Sequence, residues 1–131
     1  MQNPNISLEA YAHLDQEDAQ LQSLGMKSRA EFGEQYGIRP YALVEDMVRD
    51  ESLDLVFVTC PDDRKAAAAV QAMDAGTHAY ISKPMCLDLA GVDVMIAASR
   101  RNGVLLSALL PARDDGAIRA MATRVQAGGI G

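Results

Sequence analysis

The sequence predicts one α/β domain built on a doubly wound parallel sheet. Three observations carry that expectation. Apolar runs of strand length alternate with amphipathic helical stretches along the whole chain, with no linker between them. The strongest run, Leu53 to Thr59, is almost continuously apolar, as in a strand buried on both faces. The intervals joining Leu53–Thr59, His78–Ser82 and Val104–Leu110 have the length of helical crossovers rather than hairpins, so these three strands are expected as parallel neighbours.

Taken in order, Ile6 to Leu14 holds enough apolar residues for a first strand, closed by Asp15. Gln16 to Tyr36 is helical in two pieces. Gly25 stops the first, and Ser28 with Glu31 has the spacing of a capping box that opens the second. Gly37 ends that helix, and Leu43, Val44, Met47 and Val48 mark a short one with a single apolar face. After the strand at Leu53, Asp62 or Asp63 is placed to cap a helix reaching Ala75, with Ala66, Ala69, Val70 and Met73 on one side and Gly76 beyond its end. His78 to Ser82 is the next strand. Asp88 then caps a helix whose stripe is Leu89, Val92, Ile96 and Ser99, ended by Gly103. Val104 to Leu110 is a further strand. Asp115 opens the last helix, in which Ile118, Met121, Ala122 and Val125 face one way, and Gly128 stops it.

Composition narrows the function classes. The chain has 131 residues, room for one core and not two. Its net charge is −6 and its basic residues form no stripe, which argues against nucleic acid as a partner. Cys60 and Cys86 make neither a disulfide framework nor a zinc spacing, and they suit a reduced, cytoplasmic setting. No apolar run reaches membrane-spanning length.

In an open parallel sheet, ligands bind beyond the carboxyl ends of the strands. That rule selects Asp15, Cys60-Pro61-Asp62, Ser82-Lys83-Pro84 and the stretch Pro111 to Arg113, and predicts that they share one edge. Asp15 suits either a ribose diol or a helix cap. Pro84 restricts the backbone of Lys83, so this ammonium is aimed from a defined point. It reads either as a proton carrier for a substrate hydroxyl or as a solvated surface lysine. Cys60 has no histidine in a recognisable nucleophile signature, since His13 and His78 are its nearest in sequence.

The ordered set Thr59-Cys60-Pro61-Asp62-Asp63, Ala75-Gly76-Thr77-His78 and Ser82-Lys83-Pro84-Met85 resembles the glucose–fructose oxidoreductase/inositol dehydrogenase (Gfo/Idh/MocA) family. The likeness extends through Tyr36-Gly37-Ile38, Gly103-Val104-Leu105-Leu106, Arg113 and Gly129-Ile130-Gly131, over roughly residues 30–131. The resemblance implies a Rossmann-like, NAD- or NADP-binding domain of an oxidoreductase acting on a hydroxyl of a sugar, polyol or related metabolite, in a homo-oligomeric parent protein. It implies that Lys83 is catalytic and touches the nicotinamide ribose, and that Asp15 reads the adenosine ribose. Cys60 and Pro61 would lie against the cofactor, with Lys65 and Ser82 also at its site. A cis peptide at Lys83–Pro84 follows from the same likeness.

Departures accompany the match. Ser82 stands where glutamate is usual, Lys65 where histidine is common and Cys60 where threonine is common. The sequence holds no Gly-x-Gly-x-x-Gly, the turn that cradles a dinucleotide's pyrophosphate. The expectation is a partial nucleotide-binding domain over residues 1–131, lacking the family's first strand, glycine turn and C-terminal substrate domain. The alternative is a non-catalytic binding or regulatory protein that keeps the fold.

Overall fold

A computed structural model describes residues 4–12, 19–20 and 22–129. The elements run β1 (Ala10–Ala12), α1 (Arg29–Tyr36), β2 (Arg39–Tyr41), α2 (Val44–Asp50), β3 (Leu55–Val58), α3 (Lys65–Asp74), β4 (His78–Ile81), α4 (Leu89–Asn102), β5 (Leu106–Ala108), α5 (Pro111–Asp114) and α6 (Gly116–Gln126). All strand pairs are parallel. β1 pairs with β2, and β3, β4 and β5 lie side by side in that order. The three strands expected as parallel neighbours are so. Helix α2 packs against β1, β2 and α3, and thereby links the two sheets.

The core lies on one face of the three-stranded sheet. Val56 and Val58 of β3 and Ala79 and Ile81 of β4 cluster with Ala69, Ala72 and Met73 of α3 and with Met95 and Ala98 of α4. Residues alternate between faces along a strand, so Leu55 and Phe57 point the other way, beside His78 and Tyr80 by register. Leu55 is 50% exposed and Phe57 49%, although Phe57 stacks on Tyr80 at 5.4 Å between ring centroids. Burial of Leu53–Thr59 on both faces is therefore corrected to burial on one. Crossovers of one hand, stepping in one direction from β3 to β4 to β5, put α3 and α4 on the same side of the sheet.

Local signals placed most helix ends well. The Ser28 hydroxyl accepts from the Glu31 N–H (3.3 Å) while the Glu31 carboxylate accepts from the Ser28 N–H (2.8 Å), a complete capping box. These bonds hold the Glu31 carboxyl below the usual carboxylate range, the Ser28 side chain being the largest cause. Asp88 and Asp115 cap α4 and α6 as expected. The glycines expected at helix ends have left-handed φ values.

Several expectations are corrected. Neither Asp62 nor Asp63 caps α3, which begins after Arg64 with no side-chain cap. Of the stripe expected on α4, Val92, Ile96 and Ser99 are half-buried and Leu89 is exposed, and the fully buried residues beside them are Met95 and Ala98, which the helix turns onto α3 and the sheet. The first strand is shorter than Ile6–Leu14, with Ile6 and Leu8 exposed ahead of it. Strand β2 and the short α5 were not foreseen. Arg39-Pro40-Tyr41 has no strand-like apolar pattern, and proline is tolerated there because β2 is an edge strand. Ile118, Met121 and Val125 do share the expected face of α6, but that face is exposed. No helix among the described residues is long and apolar enough to cross a membrane.

Candidate active site

The three-stranded sheet brings its exits to one level. Val58, Ile81 and Ala108 are in register across β3, β4 and β5. The ladder continues one step past the strands: the Ser82 N–H donates to the Val58 carbonyl (2.9 Å) and the Leu109 N–H to the Ile81 carbonyl (2.7 Å). Parallel strands aligned in this way place Thr59-Cys60-Pro61, Ser82-Lys83-Pro84 and the chain entering α5 along one edge of the sheet. Arg113 sits on α5 at that edge and is exposed. Asp15, expected to join them, lies outside the described residues, as does His13.

The side chains at this edge differ in burial. Cys60 is half-buried and packs against the core cluster. Pro61 is exposed, and its carbonyl accepts from the Arg64 N–H at 2.9 Å, which turns the chain into α3. Ser82 is half-buried and Lys83 is exposed, with its ammonium unpaired among the described residues. The Lys83–Pro84 peptide is cis, as the family likeness implied. A shallow depression lined by Met85, Cys86, Leu89 and Val92 adjoins this segment.

Lys65 behaves differently from the rest. It is 3% exposed, and its ammonium is ion-paired to the Asp62 carboxylate at 2.7 Å. The same ammonium donates to the carbonyls of Pro84 (2.9 Å), Ser82 (3.4 Å) and Lys83 (3.5 Å). A buried cation in the first turn of a helix is opposed both by desolvation and by the helix dipole, and these four oxygens compensate it. Asp62 stands at the strand exit where it was expected, but its carboxylate pairs with Lys65 instead of capping α3. The acid–base pair at i, i+3 was the available signal.

Whether a dinucleotide fits is decided by the chemistry at this edge. A proton-carrying ammonium, a hydroxyl and a half-buried thiol on adjacent strand exits suit the nicotinamide-ribose end. The sequence holds no Gly-x-Gly-x-x-Gly turn to serve the pyrophosphate.

This architecture, parallel strands joined by helical crossovers, is that of a Rossmann-like α/β domain. Residues 7–109 match the model of the oxidoreductase family with an NAD-binding Rossmann fold, Gfo/Idh/MocA, and the chain belongs to that family. It is 32% identical over 88 residues to a 1,5-anhydro-D-fructose reductase of Ensifer adhaerens, an overlap of 67% of this chain and 26% of the reductase. Among solved structures, myo-inositol 2-dehydrogenase from Lactobacillus plantarum superposes with a TM-score of 0.76 at 23% identity, covering 98% of this chain and 35% of that one. The WlbA dehydrogenase from Bordetella pertussis, in complex with NADH and UDP-GlcNAcA, gives a TM-score of 0.76 at 20% identity over 93% of this chain and 34% of its own. These two likenesses establish the fold. The chain thus spans about a quarter of the reductase's length.

Proposed function

We propose that the chain forms part of the nucleotide-binding domain of a nicotinamide-dependent oxidoreductase acting on a hydroxyl-bearing carbon of a sugar, polyol or related metabolite. The observation that carries this reading is the cluster of Cys60-Pro61 and Ser82-Lys83-Pro84 on adjacent, register-aligned strand exits, in a chain of an NAD-binding oxidoreductase family. The 1,5-anhydro-D-fructose reductase relative supports the substrate class.

Oxidation of a secondary alcohol removes a proton from oxygen and a hydride from carbon. When bound, the nicotinamide supplies the hydride chemistry. The work left to this chain is orientation and proton handling. As the neutral amine Lys83 takes the hydroxyl proton in the oxidative direction, and as the ammonium it returns that proton in the reductive one. Ser82 and Cys60 line the neighbouring exits against the cofactor's ribose, and Asp15 serves the adenosine ribose. By itself the 131-residue chain binds NAD(H) or NADP(H) weakly and turns over no sugar, because the pyrophosphate has no glycine turn to replace its hydration.

The test is Lys83→Ala in the complete protein that carries this domain. Turnover falls about 100-fold or more, in keeping with the loss of a general acid–base group, while cofactor affinity changes little. An unchanged turnover removes Lys83 from the chemistry and the reading with it.

A further inference from the structure

Lys65 carries the one buried ammonium among the described residues, and it touches three successive carbonyls of the segment that carries Lys83. We propose that Lys65 is a positioning residue for Lys83 and does not itself contact cofactor. It ties the chain leaving β4 to the start of α3 and so fixes the point from which the Lys83 side chain extends. This inference rests on the assignment of the proton-transfer role to Lys83.

Three features of the geometry converge on it. The first is direction. The ammonium is met by four protein oxygens, from Asp62, Ser82, Lys83 and Pro84, and the side chain is 3% exposed. The second is the choice of target. Backbone carbonyls at 82, 83 and 84 lie just beyond the last strand bond of β4, where the ladder no longer restrains the chain. Cross-links there substitute for the missing strand neighbour. The third is the counter-ion. Asp62 is on the other loop of the same edge, between β3 and α3, and its carboxylate holds the ammonium from the side opposite in sequence. One buried charge thus couples the two loops that carry Cys60-Pro61 and Ser82-Lys83. Its loss frees Lys83 to wander without removing any group that reacts. Even a displacement of about 1 Å at a reacting group costs on the order of 100-fold in rate.

Lys65→Met tests this because it keeps most of the apolar stem and removes the ammonium. Amide hydrogen exchange followed by mass spectrometry is read on the peptide spanning residues 82–87 of the full chain, with a peptide from α3 as internal reference. The 82–87 amides should exchange about tenfold faster or more in Lys65→Met, while the reference changes little. Lys65→Arg, which restores a cation with several donors, should bring them back towards the original rate. Equal acceleration in both peptides, or none at 82–87, overturns the clamp. Should Lys65→Met not fold, Asp62→Asn carries the same comparison, with a smaller acceleration expected at 82–87 and none counting against the proposal. In the complete protein, Lys65→Met should lower kcat while leaving the KM for cofactor within about twofold, whereas loss of a direct ligand would raise that KM. If Lys83→Ala leaves turnover unchanged, the catalytic assignment fails while the exchange measurement still decides the clamp, so the two failures are separable.

Discussion

Leu55 and Ile81 provide a matched pair for testing where the core lies. Ile81→Ala and Leu55→Ala each delete three side-chain carbons from a strand of the same sheet, but Ile81 is 0% exposed and Leu55 is 50% exposed. At about 0.8 kcal/mol per buried methylene, the Ile81 deletion loses roughly 2.4 kcal/mol of transfer energy. The cavity left among Met73, Met95 and their neighbours raises the cost to about 3–4 kcal/mol. Half of the transfer energy, and little cavity, applies at Leu55, which gives about 1 kcal/mol. Urea unfolding of both variants against the parent chain, with slopes held equal, measures the difference directly. A ratio near three supports a sheet covered on one face. Equal losses would show that the Leu55–Phe57 face is covered in solution and would refute the one-sided core.

Other expectations follow from single contacts. Asp88→Ala removes the cap that accepts the Gly91 N–H at 2.7 Å and should cost about 1 kcal/mol by chemical denaturation. Gly76 has φ +88° with open space around its missing side chain, so Gly76→Ala should destabilise by about 1 kcal/mol through the backbone alone. Gly116, whose φ is not left-handed and which also faces open space, should accept alanine with a small gain in melting temperature. The Arg101 guanidinium, with the Asn102 amide, holds the Asp74 carboxyl below its ordinary 3.8. Its folded pKa is depressed, so its contribution is complete above 3.8 and is lost as pH falls through the lower folded value. Asp74→Asn should therefore flatten the acid limb of a pH–stability profile by lowering stability slightly at neutral pH, while the acid end, where the carboxyl is protonated in both states, stays almost unchanged.

Features set by local chemistry were the most legible in the sequence. The Ser28–Glu31 box, the caps at Asp88 and Asp115 and the glycine stops depend on a few adjacent residues, and all were found where expected. The order β3, β4, β5 was legible because crossover length and handedness leave few choices. Features set by tertiary packing were not. Helical periodicity placed Val92, Ile96 and Ser99 on the inner side of α4, but that Met95 and Ala98 are its fully buried residues is decided by what α3 and the sheet present to it. Strand β2 is carried by pairing with β1, since Arg39-Pro40-Tyr41 has almost no strand propensity of its own. At the site, the common edge of Cys60, Lys83 and Arg113 followed from strand order. The inward use of Lys65 depended on a fold-level meeting of two loops, and only its i, i+3 spacing from Asp62 hinted at it.

The central claim is that the nicotinamide end of the cofactor meets this chain at the exits of β3 and β4. A titration of the ¹⁵N-labelled 131-residue chain with NADH, followed by two-dimensional NMR, tests that claim most directly. The account predicts shifts at residues 59–65 and 82–86 and around Asp15, with no saturation below millimolar NADH because the pyrophosphate turn is not in the sequence. Shifts centred on the opposite edge of the sheet, or saturation at micromolar NADH, would contradict it.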